Sequence, residues 1–202
     1  MTRKFSLFFS FLFHPLLIPV AGISILLFTG SWISFIPQQS KKVVLMLFAV
    51  GTLLLPLLMI PVFLFRRVIT DIYIDERSER LIPYSLTAIF YIFTYIMLRR
   101  IPVYHFMYAF MLGCVISVCL LFFINIWRKV SAHMTGFGGL TAFIFISAIH
   151  LEVNLLLSLV LSIAASGIAA SARLSLKVHT PAEVYAGFFL GAAVMSCCLF
   201  LY

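Results

Sequence analysis

Seven long apolar runs fill most of this sequence, at about 5–29, 43–65, 81–98, 103–127, 134–149, 153–170 and 181–201. Each approaches the ~20 residues that an α-helix needs to cross a hydrocarbon core of ~30 Å. The runs are apolar throughout rather than alternating, which excludes a transmembrane β-barrel. Hydrophobic residues make up 64% of the chain and charged residues 10%, against ~45–50% and ~25% in soluble domains. That is too little polar surface for a water-soluble fold, and it also excludes disordered and disulfide-scaffold classes. The expectation is an all-α protein, a polytopic transmembrane helix bundle of six or seven spans. Seven spans leave only short loops in 202 residues, so the chain, 1–202, reads as a single integral membrane domain.

The first run follows Arg3 and Lys4 and so has the outline of a secretory leader. It is long for one, holds Pro15 and Pro19, and ends in no small-x-small cleavage site. It therefore reads as a retained span bent by its prolines. Pro56 and Pro61 fall in the second half of the second run. Cys114, Cys119, Cys197 and Cys198 all lie inside apolar runs. They read as small core residues rather than disulfides or metal ligands.

Fourteen Lys and Arg stand against six Asp and Glu, a formal charge of +8. On a membrane protein this excess points to anionic lipid or phosphate rather than to nucleic acid. Successive spans return the chain to the side it left. The polar segments 66–80, 128–133 and 173–179 therefore share one membrane face. Arg3, Lys4, Arg66, Arg67, Arg77, Arg80, Arg128, Lys129, Arg173 and Lys177 lie on that face, and Lys41, Lys42, Arg99 and Arg100 on the other. A site would assemble where the three polar segments meet.

The third segment carries the clearest chemistry. Pro181 suits the first position of a helix, with Thr180 as N-cap and Glu183 three residues on, the pattern of a capping box. His179 then stands at the helix N-terminus, where backbone N–H groups and the helix dipole favour anions. Arg173 adds a forked donor matched to phosphate. A histidine with an acid beside it and an arginine opposite can act as a nucleophile toward phosphorus. In the second segment, His133 can protonate a leaving oxygen, and Ser131 and Lys129 can hold phosphate oxygens. Gly136, Gly138 and Gly139 follow and permit close backbone approach.

These residues resemble the signatures of the type 2 phosphatidic acid phosphatase (PAP2) superfamily. Arg173-x5-His179-x3-Glu183 resembles its third signature, Ser-Arg-x5-His-x3-Asp, with Ala172 in place of the Ser and Glu183 in place of the Asp. Val130-Ser131-Ala132-His133 resembles the second, Pro-Ser-Gly-His. The first, Lys-x6-Arg-Pro, is matched only loosely by Arg77, Arg80 and Pro83. The loop Asp75-Glu76-Arg77-Ser78-Glu79-Arg80-Leu81-Ile82-Pro83 is similar to that of a divergent bacterial branch with an Asp-Arg-x2-Arg-x2-Pro loop. The resemblance implies a PAP2-like core at about 66–202 and a phosphohistidine mechanism that needs neither metal nor cofactor. By position, His179 would be the nucleophile, Glu183 its orienting acid and His133 the general acid. Arg173, Ser131, Lys129, Arg77 and Arg80 would bind phosphate. The implied partner is a phosphorylated lipid in the bilayer, with no nucleic acid.

Each residue also has an ordinary explanation. Glu183 caps a helix whether or not it serves chemistry. Single histidines near a membrane end are commonly interfacial or packed, which is the reading for His14, His105 and His150. Arg77 and Arg80 can pair with Asp75, Glu76 and Glu79 on a solvated turn. Two other functions stay open: a catalytically impaired relative that binds lipid phosphate or acts as a scaffold, and a small lipid transporter with proline-broken helices. Orientation is evenly balanced. The positive-inside rule places the cation-rich face in the cytoplasm, whereas the resemblance implies a site facing outward. Setting aside the five cations that could serve the site leaves five against four.

Overall fold

The computed structural model describes residues 3–30, 32–70 and 77–201, without the side chains of Trp32 and Ser34. It is 83% helical, with no strand among the described residues. Seven helical stretches are long and apolar enough to cross a membrane: Arg3–Phe28, Gln38–Phe65, Ser78–Leu98, His105–Trp127, Ala132–His150, Leu156–Ser175 and Pro181–Leu201. The protein is an integral, multi-pass helix bundle. Large apolar side chains such as Phe65, Leu157 and Phe200 face outward, as lipid contact requires. Asp71, Asp75 and Glu76 of the first loop lie outside the described residues.

The two proline-bearing spans are broken. The first comprises α1 (Arg3–Leu12), a 3-10 turn (Pro15–Leu17) and α2 (Ile18–Phe28). Pro15 disfavours helical backbone at the residue before it, and His14 is extended at φ −62°, ψ 135°. The His14 N–H turns back to the Phe11 carbonyl at 3.2 Å. A continuous α-helix would have sent it to Ser10, so the Ser10 carbonyl is released. Pro19 falls in the first turn of α2, where a missing N–H does no harm.

The second span comprises α3 (Gln38–Phe48), a π-helical turn (Ala49–Leu54) and α4 (Leu55–Phe65). Pro56 has no N–H to offer Thr52. The Tyr91 hydroxyl approaches the Thr52 carbonyl instead, at 3.5 Å.

The other spans are single helices: α5 (Leu81–Leu98, entered through a 3-10 turn at Ser78–Arg80), α6 (His105–Trp127), α7 (Ala132–His150), α8 (Leu156–Ser175) and α9 (Pro181–Leu201). The closest pair is α7 against α9. A Cβ on Gly138 would collide with the Phe188 carbonyl, and one on Gly191 with the Thr135 carbonyl. In lipid, where apolar attraction between helices is weak, such small residues let backbones meet. The hydroxyls of Thr141 and Ser162 join α7 to α8 at 2.8 Å. The break in the first span lets α1 lie on α8 while α2 packs on α7 and α3. Phe48, Phe110 and Phe143 form the aromatic centre, with ring centroids 6.0 and 4.1 Å apart along the series.

This order puts the starts of α5, α7 and α9 and the ends of α4, α6 and α8 on one face. Lys42 opens the second span on the opposite face and is exposed, whereas its neighbour Lys41 is buried over the Phe28 ring. Single cysteines at Lys42 and Arg128 should therefore react with a membrane-impermeant maleimide from opposite sides of sealed vesicles, and one at Lys177 from the same side as Arg128. Labelling of Lys42→Cys and Arg128→Cys from one side would contradict the span count.

Candidate active site

His179 is set by two helix ends. α8 closes with the Lys177 N–H bonded to the Leu174 carbonyl at 3.0 Å and the Val178 N–H to the Arg173 carbonyl at 3.3 Å, a Schellman closure. Lys177 takes the left-handed position at φ 57°, where glycine is the usual occupant. Four residues later, at Pro181, α9 begins. The Thr180 Oγ1 accepts the Glu183 N–H and Glu183 Oε2 accepts the Thr180 N–H, both at 3.4 Å, so the capping box forms. The same Oε2 accepts from His179 Nδ1 at 2.7 Å. One carboxylate thus caps a helix and orients an imidazole. The His179 side chain is 1% exposed and that of Glu183 23%.

His179 lines a cavity of about 440 Å³ with Arg80, His133 and Arg173, three residues brought from separate polar segments. Both guanidinium-bearing residues are 5% exposed. Arg80, at the start of α5, also reaches the Tyr84 hydroxyl four residues on. Below this polar end the wall is largely apolar, with Pro56, Phe90, Phe110 and Met195 among its residues. From Arg80 to Tyr91, both on the wall, α5 advances ~16 Å, about half the hydrocarbon thickness.

The other expected residues sit differently. Arg77 is exposed, and its guanidinium donates to the Trp127 carbonyl at 2.6 Å. The Arg77 carbonyl accepts from the Asn125 amide at 2.7 Å, so the residue pins the first loop to α6 and does not line the cavity. Lys129 is half-buried and off the cavity wall, near enough for its charge to act on His179. Ser131 is fully buried beside the cavity rather than on its wall. Its N–H donates to the Glu183 carbonyl at 3.3 Å, which fixes α7 to α9, and its hydroxyl has no hydrogen-bond partner among the described residues. Ala172 is also fully buried.

Two neighbours of the site escaped the sequence reading. Ser10 binds two of the three residues that share the cavity with His179: its released carbonyl lies 3.2 Å from His133 Nε2, and its hydroxyl accepts from Arg173 Nη1 at 3.3 Å. A carbonyl only accepts, so His133 carries a proton on Nε2, and Nδ1 is left for proton exchange. His14, read from sequence as interfacial or packed, lines the cavity with its ring centroid 5.8 Å from that of His133. A His-Pro pair inside an apolar run was the available signal.

The electrostatics favour a neutral His179. Burial pushes the imidazole from 6.5 down to about 4; the hydrogen bond to Glu183 works against this, and the charges of Arg80, Arg173 and Lys129 add to the depression. The carboxylate accepts from Nδ1, which leaves the Nε2 lone pair available near neutral pH. Among the described residues, no three His, Cys, Asp or Glu converge as a metal site. No protein-family model matches the chain, and neither do curated proteins or solved structures.

The titration is directly measurable. The Cε1 resonance of His179, assigned by its loss in His179→Ala, should keep its neutral shift well below pH 6.5. Lys129→Gln removes a cation that opposes protonation, so the midpoint should rise. A wild-type midpoint at or above 6.5 would contradict the electrostatic account.

Proposed function

We propose that the protein is a lipid phosphatase that hydrolyses a phosphomonoester or diphosphate at the head of a lipid whose chain remains in the bilayer. The observation that carries this reading is the His179–Glu183 pair at 2.7 Å, whose histidine lines one cavity with Arg173 and His133. The depth of apolar wall beneath that polar end supports a lipid rather than a small soluble ester. The resemblance to the type 2 phosphatidic acid phosphatase signatures supports the same chemistry.

In this reading the His179 Nε2 lone pair attacks phosphorus and forms a P–N bond. The P–O bond to the leaving group breaks, and that oxygen takes a proton from Nδ1 of His133, which holds that proton while the negative charge of the bound phosphate lies beside it. Glu183 holds Nδ1–H and stabilises the positive charge that develops on His179, as an acid orients the base in a catalytic triad. The guanidiniums of Arg173 and Arg80 face the phosphoryl oxygens, where charge builds in the transition state. His133, now neutral, takes a proton from water as the water oxygen attacks phosphorus. The P–N bond breaks, phosphate leaves, and His179 and His133 return to their starting states. The site is read as opening on the outer face of a bacterial cytoplasmic membrane, on the strength of the resemblance.

Purified protein should release phosphate from a prenyl diphosphate or phosphatidate in the presence of a chelator. His179→Ala and His133→Ala should each lower kcat by at least ~100-fold, the scale of general acid–base and nucleophilic contributions. Equal rates in wild type and both variants would overturn the assignment. A second reading, binding of lipid phosphate without turnover, is favoured by Arg77, which turns away from the cavity. Vanadate inhibition of a measured turnover would exclude it.

A further inference from the structure

The break in the first span lies on the wall of the same cavity, yet none of its residues belongs to the polar segments that supply the site. Its chemistry is specific. His14 is the N-cap of the 3-10 turn: its Nδ1 accepts the Leu16 N–H at 3.3 Å. Nδ1 is therefore unprotonated, and a neutral imidazole must then carry its proton on Nε2. That N–H sits on the ring edge away from the backbone, in a residue lining the cavity. Among the described residues, nothing accepts from it.

A cap alone does not account for this residue. Ser, Thr, Asp and Asn do that work with shorter side chains. His14 is half-buried on the cavity wall, and a neutral imidazole there offers an N–H to whatever oxygen the cavity holds. Arg173 and His133, also on the wall, are tied to Ser10 four residues earlier. The break thus presents one donor of its own and holds two others.

We propose that His14 is an anion-binding residue of this site, donating Nε2–H to an oxygen of a bound phosphoryl group, and that Ser10 is a positioning residue acting through Arg173. The ligand class is a phosphate ester, diphosphate or free phosphate, all of which present the same oxygens. The proposal rests on the phosphatase reading for its kinetic arm alone.

The test separates the cap from the donor. Asparagine at position 14 keeps an acceptor for the Leu16 N–H but is too short to replace the distal N–H. Orthovanadate binding to the full-length protein in detergent is measured by calorimetry, with prenyl diphosphate hydrolysis in parallel and melting temperature as the folding control. His14→Asn should melt like wild type and bind vanadate at least ~10-fold more weakly, the scale of a lost hydrogen bond to a charged group. Ser10→Ala keeps the carbonyl that faces His133, so it should raise KM several-fold and leave kcat within about threefold. Vanadate affinity within twofold of wild type in His14→Asn would overturn the His14 assignment, even if His14→Phe fails to fold. A fall in kcat without a rise in KM in Ser10→Ala would overturn positioning through Arg173. Vanadate binding that depends on His14 in a protein releasing no phosphate would sustain this inference and remove the hydrolysis reading. Phosphate release with His14→Asn unimpaired would do the reverse. If wild type neither binds vanadate nor releases phosphate, both fall.

Discussion

A backbone carbonyl released inside a bilayer has to find a donor, because no water is there to supply one. This constraint organises the two proline-broken spans. Pro15 ends α1, the His14 N–H bonds to Phe11 instead of Ser10, and the Ser10 carbonyl meets His133 Nε2 at 3.2 Å. Pro56 leaves the Thr52 carbonyl without its helical donor, and the Tyr91 hydroxyl approaches it from α5. Both breaks border the same cavity, which Pro15 and Pro56 help to line. The prolines thus open the bundle and direct its polar groups in one step.

The site follows the same economy of partners. Glu183 Oε2 serves the Thr180 N–H and His179 Nδ1 together, so the residue that begins α9 also sets the tautomer of the buried histidine. The Ser131 N–H bonds to the Glu183 carbonyl, and Gly138 and Gly191 allow α7 and α9 to touch. Helix contact, capping and imidazole orientation are coupled, so a change in the α7–α9 spacing would move His133 relative to His179. Two buried arginines on the wall make the polar end suited to a multiply charged anion, and the apolar wall below suits the chain of an amphiphile.

Much of this was legible in the sequence because it is local. The seven spans follow from run length and hydropathy, and their ends fall within a few residues of the apolar boundaries. The capping box at Thr180 and Glu183 is a spacing of three residues. The convergence of His133, Arg173 and His179 follows from counting sides. What was not legible depends on contacts between distant residues. Ser10 meets His133 and Arg173 across 123 and 163 residues, and no local pattern marks a serine in an apolar run for that role. His14 was visible as a His-Pro pair, but its place on the cavity wall depends on how α2 packs against α7. Arg77 and Arg80 looked equivalent in the loop. The 3-10 turn at Ser78–Arg80 separates them, sending Arg80 to the cavity and Arg77 to the Trp127 carbonyl.

The central claim is that His179, held through Nδ1 by Glu183, forms a covalent bond to phosphorus through Nε2. Rapid quenching of the protein with a ³²P-labelled lipid phosphate, followed by peptide mapping under alkaline conditions, tests it most directly. The account predicts an acid-labile, base-stable label on the peptide containing His179, absent in His179→Ala and accumulating when His133 is replaced by alanine if dephosphorylation then becomes slower than phosphorylation. Phosphate release without labelled His179 at any quench time, or a label on another residue, would contradict it.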